Sequence, residues 1–156
     1  MAAGGNFLDT ANNYQKEESE KWIGEWMTSR KNRDSLVIAT KYGSPYKIYD
    51  KATFGCQSNW GGGGTKSMKR SVEDSLEKLQ TGYVDLLYLH YFDGYTPIPE
   101  FMHSLNDLVV AGKVHYLGIS DTPAWVVSKV SPRVFQLHAS EMYKTDGTTI
   151  GKSVRT

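Results

Sequence analysis

Four short stretches of the chain, Asn6 to Asp9, Leu36 to Lys41, Val84 to His90 and Val114 to Ser120, are rich in β-branched or large apolar residues and read as strands. In the second, Leu36-Val37-Ile38-Ala39 is apolar without a break. That suits a parallel strand covered on both faces, because one solvated face would impose alternation. Between the strands, apolar residues recur at helical spacing. Trp22, Ile23, Trp26 and Met27 fall on one face, as do Met68, Val72, Leu76 and Leu79, and then Phe101, Leu105, Leu108 and Val109. Trp22 and Trp26 are accordingly expected in the core. Pro99 fits the first turn of a helix, Gly112 fits a helix end, and Asp121-Thr122-Pro123 reads as a cap followed by proline at the start of another helix. The order β-α-β-α-β-α-β implies three crossovers. Two architectures satisfy it, an open doubly wound sheet or part of an eight-stranded barrel.

Residues 43–66 form the longest stretch without a period, and they hold Tyr46, Tyr49, Phe54, Trp60 and the run Gly61 to Gly64. A loop of this length is uncommon unless functional or disordered, so it reads either as a mobile surface loop or as an aromatic contact for a flat substrate. The segment Gly61-Gly62-Gly63-Gly64-Thr65-Lys66-Ser67 superficially resembles a phosphate loop. It has Thr65 where a glycine must precede the lysine, and no apolar strand leads into it, so flexibility is its expected role. Past Lys129 the periodicity stops at Ser131-Pro132, and residues 130–156 read as an irregular tail.

With 156 residues, 39% of them hydrophobic and 22% charged, the chain can bury one core. Eighteen basic against seventeen acidic side chains leave a net charge of +1, which provides no long-range attraction for nucleic acid or an acidic membrane. Cys56 is alone and cannot form an internal disulfide. No apolar run reaches the roughly 18 residues of a membrane span, and the opening MAAGGNFLDTA lacks a basic region followed by an apolar stretch. A reducing, cytoplasmic compartment is expected. The histidines at 90, 103, 115 and 138 do not pair at metal-ligand spacing with each other or with Cys56, so no metal site is expected.

Polar groups stand where three strands end: Asp9 with Tyr14 shortly after it, Lys41, and His90. Carboxyl ends of parallel strands are where such folds build active sites, because rigid strands hold the side chains while the loops converge. Taken singly, each residue has a structural explanation: a turn cap, a surface ring, a snorkelling charge, a core histidine. Together, a carboxylate, a phenol, an ammonium and an imidazole make a proton-transfer site for a carbonyl or alcohol. A phenol with a pKa near 10 is a poor acid–base group at neutral pH, and a neighbouring ammonium lowers that value. Lys41 is placed to do this for Tyr14, Asp9 to hold the ammonium, and His90 to hydrogen-bond a substrate oxygen as charge develops on it. Asp85 interrupts a buried strand and needs a partner there, so a structural hydrogen bond is its expected role.

The run Gly5-Asn6-Phe7-Leu8-Asp9-Thr10-Ala11-Asn12-Asn13-Tyr14 resembles the first signature of the aldo-keto reductase family. Ala39-Thr40-Lys41, Tyr83-Val84-Asp85-Leu86-Leu87-Tyr88-Leu89-His90 and Gly118-Ile119-Ser120-Asp121 follow in the family's order. Ile23-Gly24-Glu25-Trp26-Met27 and Ser120-Asp121-Thr122-Pro123-Ala124-Trp125-Val126-Val127 are similar to the fungal aryl-alcohol dehydrogenase and norsolorinic acid reductase-like branch. The resemblance implies a (β/α)8 barrel that interconverts aryl aldehydes and alcohols with NADP(H) and no metal, by hydride transfer and protonation of the oxygen. By the same resemblance Tyr14 is the proton donor, Lys41 and Asp9 tune it, His90 orients the carbonyl, and Ser120 with Asp121 contacts the nicotinamide carboxamide beside Asp9.

A complete barrel needs about 250 residues, so a partial one is expected: residues 1–129 forming about strands 2 to 5, with strand 1 before Gly4 and strands 6 to 8 after Val130. Much of the cofactor site would then lie outside the chain. Four barrel strands leave two parallel edges and an incompletely covered inner face, which favours self-association. The alternative is a non-catalytic remnant or interaction module of the same family.

Overall fold

Four parallel strands pair side by side in the computed structural model of the chain, which describes residues 4–130. They are β1 (Phe7–Asp9), β2 (Val37–Tyr42), β3 (Val84–Leu89) and β4 (Val114–Ile119). All four expected strands form, with ends trimmed or shifted by a residue. Helices α1 (Glu18–Arg30), α2 (Lys51–Phe54), α3 (Thr65–Lys78) and α4 (Ile98–Val110) connect them, and residues 124–130 form α5. The spatial order is the chain order, β1-β2-β3-β4. A doubly wound sheet reverses its order and carries helices on both faces. Here the order runs on without reversal, and one core lies on one side of the sheet, so the architecture is α/β, a partial (β/α)8 barrel.

Side chains alternate across a strand, and the alternation separates core from site. Ile38, Tyr42, Leu87 and Leu89 face the helices and pack with Met68, Val72 and Leu76 of α3 and with Phe101, Leu105 and Leu108 of α4. Both helices therefore present the faces their spacing predicts. Pro99 sits in the first turn of α4, and Gly112, at φ +69°, lies just beyond its end.

Helix α1 follows expectation in part: Met27 is buried, and Ile23 and Trp26 pack against the core. Trp22 is 57% exposed and Trp26 only half-buried, while Glu20, Gly24 and Met27 face inward. A polar and a steric anchor accompany that stripe. The Glu20 carboxylate, fully buried, pairs with Lys78 at 2.7 Å and accepts the Thr40 hydroxyl at 2.6 Å. Gly24 lies against the end of α3, where a β-carbon would fall on the Lys78 carbonyl oxygen and 2.8 Å from the Leu79 carbonyl carbon.

Residues 43–66 are not one loop, because α2 lies within them and α3 starts at Thr65. Tyr46 is fully buried and donates to Asp74 at 2.9 Å. Trp60 stands edge-on to both Tyr46 and Phe54, so these rings form a satellite core and are not spread as a substrate wall. The glycine run serves close approach, not flexibility. A β-carbon on Gly61 would lie 3.0 Å from Pro45, the Gly62 N–H donates to the Gly43 carbonyl at 2.7 Å, and the Gly63 N–H donates to Asp93 at 2.7 Å.

Asp85 has the partners it was expected to need: Arg33 at 2.8 Å and the Ile38 N–H at 2.8 Å. Asp121 does not cap α5. It lies in the left-handed region (φ 38°), and its side chain accepts no hydrogen bond among the described residues; the first turn is closed by the Pro123 carbonyl, which accepts the N–H groups of Val126 and Val127. No helix among the described residues is long and apolar enough to cross a membrane. The expected irregular tail lies, beyond Val130, outside the described residues.

Candidate active site

Parallel pairing brings the carboxyl ends of all four strands to one edge of the sheet, and the register decides which side chains meet there. Asp9 pairs with Ala39, Lys41 with Tyr88, and Tyr88 with Gly118. Counting two residues along each strand puts Asp9, Lys41, His90 and Ser120 on the same face, the one turned away from the helices.

Lys41 is the centre of this group. Its residue is 7% exposed, and its ammonium donates to Asp9 Oδ2 at 2.7 Å and to the Thr10 carbonyl at 2.8 Å. It also lies 5.0 Å from the centre of the Tyr14 ring and 5.7 Å from that of Tyr88, within cation–π range of both. The ring of Tyr88 crosses onto β4, where a β-carbon on Gly118 would lie 2.5 Å from it. Tyr14, 38% exposed, stands edge-on to His90 with ring centres 5.7 Å apart. All four residues expected to cooperate therefore converge. The approach of Lys41 to Tyr14 is over the ring, its hydrogen bonds going to Asp9 and Thr10.

The backbone after Tyr14 is unusual. Gln15, Lys16 and Glu17 have φ values of 50°, 56° and 75°, a left-handed run that costs about 1–2 kcal/mol per residue. Glu17 secures it by pairing with Lys47 at 2.8 Å and Lys78 at 3.2 Å. Strain of this kind persists only where surrounding contacts fix it.

His90 is held on three sides. Its N–H donates to the Tyr42 carbonyl at 2.9 Å, its carbonyl accepts the Ser120 hydroxyl at 2.5 Å, and its Nδ1 lies 3.0 Å from Ser44 Oγ. Burial, and then the Lys41 charge, hold its pKa below the ordinary 6.5, with Asp121 and Asp9 opposing. The imidazole is therefore neutral at neutral pH. Ser120 is half-buried, and Asp121 is exposed beside it at the rim.

Sequence reasoning missed Ser44 and Tyr88. Tyr88 was accessible to it, since it stands two residues before His90 and shares its face. Ser44 carried no comparable signal, because its position depends on the turn at Gly43. Chemically, the edge offers a buried ammonium held by a carboxylate, a phenol open to solvent and a neutral imidazole.

Residues 1–144 match the model of the aldo/keto reductase family. The chain is 63% identical over 128 residues to norsolorinic acid reductase B of Aspergillus parasiticus, covering 82% of this chain and 33% of that protein. It is 62% identical over 128 residues to norsolorinic acid reductase B of Dothistroma septosporum, covering 82% and 32%. It is 58% identical over 126 residues to a putative aryl-alcohol dehydrogenase of Saccharomyces cerevisiae, covering 81% and 33%. The chain thus spans about a third of the length of the curated relatives it matches. On the family match and these identities, the chain belongs to the aldo/keto reductase family.

Proposed function

We propose that this chain carries the proton-transfer side of an NADP-dependent oxidoreductase that interconverts aryl aldehydes and aryl alcohols in the cytoplasm. The observation that carries the reading is the convergence of Asp9, Tyr14, Lys41 and His90 on one sheet edge, around an ammonium that is itself buried and paired. Tyr14 is the proton donor, being the member of the group with an ionisable hydroxyl open to solvent. Lys41 stabilises the phenolate that remains after donation, and Asp9 keeps the ammonium charged and fixed. His90, neutral, hydrogen-bonds the substrate oxygen as negative charge gathers on it. The names of the relatives support an aryl carbonyl or alcohol as the substrate.

The polar groups at the end of β4 fit the carboxamide of a nicotinamide. The Ser120 hydroxyl spends its proton on the His90 carbonyl, which leaves its lone pairs for an amide N–H, and the Asp121 carboxylate is exposed next to it. Ser120, Asp121 and the half-exposed Asp9 would hold that end of NADP(H), which supplies or accepts the hydride when bound.

The test is binding of NADPH to the purified chain, followed by enhancement of nicotinamide fluorescence, with turnover of veratraldehyde in the parent and in Tyr14→Phe. Binding with turnover, the latter reduced by roughly 100- to 10,000-fold in the variant as for a lost general acid, would support the reading. A folded chain that binds no NADPH would favour a second reading, a non-catalytic member of the family.

A further inference from the structure

The hydroxyl of Ser44 is the hydrogen-bonding partner of the imidazole ring at the site, and the local backbone is built to keep it there. The β2–β3 ladder continues past the strand ends through the bond from the His90 N–H to the Tyr42 carbonyl. Gly43 then turns the chain at φ +111°, a conformation that other residues rarely adopt, and its carbonyl accepts the Gly62 N–H at 2.7 Å. On the other side of Ser44, Pro45 packs against Gly61. Ser44 therefore sits between two anchored neighbours, with Oγ 3.0 Å from His90 Nδ1 and part-buried.

The direction of this hydrogen bond follows from counting protons. A neutral imidazole carries one N–H, and a hydroxyl carries one O–H. If Ser44 donates, Nδ1 accepts, the hydroxyl proton is satisfied and the ring proton resides on Nε2. If Nδ1 donated instead, the hydroxyl proton would have no acceptor among the described residues and Nε2 would present only a lone pair. The charged and titratable groups around the ring are Asp9 from β1, Lys41 from β2, Tyr14 from the turn after β1 and Asp121 after β4. Asp9 and Tyr14 cluster around Lys41, and none of the four groups bonds to Nδ1 among the described residues.

We propose that Ser44 is a positioning residue for His90, holding the imidazole as its Nε2–H tautomer so that a donor is available to the substrate oxygen. The use of that donor rests on the reductase reading above; the tautomer does not. Removing the hydroxyl leaves the ring free to exchange its proton between the two nitrogens. Keeping a hydroxyl at the same place preserves the preference.

The experiment is long-range proton–nitrogen correlation NMR on the full chain labelled with 15N-histidine, the His90 signals being assigned by their loss in His90→Asn. In the parent and in Ser44→Thr, Nδ1 is expected at a pyridine-type shift and Nε2 at a pyrrole-type shift. In Ser44→Ala the two shifts are expected to converge, as for a mixture of tautomers. A pyrrole-type Nδ1 in the parent overturns the proposal, even if Ser44→Ala fails to fold. So does an unchanged pattern in a folded Ser44→Ala. In turnover, Ser44→Ala is expected to lower kcat roughly tenfold, the worth of one hydrogen bond, with KM little changed and Ser44→Thr restoring it. The expected tautomer in a chain without turnover supports this proposal while sinking the reductase reading.

Discussion

A lysine boxed between a carboxylate, a carbonyl and two tyrosine rings acts on the imidazole across the sheet edge from it. Lys41 is one of the causes that hold the His90 pKa low, so Lys41→Met is expected to raise the His90 titration midpoint while abolishing turnover. The shift of the His90 ring protons with pH checks this. The same depressed pKa links to stability. Below pH 6.5 the unfolded chain takes up the proton before the folded one does. The His90 contribution is therefore complete above that pH and is lost as pH falls through the folded value. Urea unfolding between neutral and mildly acidic pH should show the loss, and His90→Gln should remove it. At this scale much of the site was legible: Asp9, Lys41 and His90 stand at strand ends, and Tyr14 is a phenol close behind the first. Ser44 was not, because only the positive φ of Gly43 and the clamp from Gly62 turn it toward the imidazole.

Among the elements, α3 and α4 could be read from spacing because apolar residues make their contacts. Helix α1 was legible only in part: Ile23, Trp26 and Met27 reach the core as their spacing suggests, but Trp22 does not, and the inward face also carries Glu20, a residue type almost never fully buried unless paired, together with Gly24. Gly24→Ala is therefore expected to destabilise the chain by about 1–3 kcal/mol, the range for overpacking against a backbone that cannot yield. Lys78→Met should cost more, about 3–5 kcal/mol, because it leaves the buried Glu20 carboxylate without an opposite charge, the Thr40 hydroxyl alone remaining. Denaturation midpoints of the two variants test the order as well as the sizes. The turn at Asp93 is a second tie between elements. Its carboxylate accepts from Gly63, Tyr95 and Thr96, and although burial opposes ionisation, these hydrogen bonds hold its pKa below 3.8. Its contribution is present above that pH and is lost as pH falls through the folded value. Asp93→Ala is expected to speed amide exchange at Gly63 and Thr96 while the amides of β3 stay protected.

Across the whole molecule, the face that bears the site has no helix packed on it, and β1 and β4 are each paired on one side only among the described strands. Phe7 and Tyr116 lie on that face, one on each edge strand. Unpaired parallel edges beside exposed rings promote association. Sedimentation of the purified chain is expected to show mass above the monomer as concentration rises, and Tyr116→Lys to shift it back. A monomer throughout the range would contradict the expectation. Periodicity gave the alternation of strands and helices but left the architecture open, since an open sheet and a barrel wall share it; the unreversed strand order resolves the choice.

That order also bears on how the chain acquires its shape during synthesis. Among the described strands, each one after β1 pairs with the strand made just before it, so it emerges beside a template already waiting, and the sheet can grow by zipping in the direction of translation. The intervals are unequal. The longest lies between β2 and β3, where residues 43–83 must emerge before Val84 and its successors can dock. A nascent chain stopped within that interval holds β2 with an open edge and Lys41 without the ring of Tyr88, the stage at which a chaperone or a slow codon would have most effect.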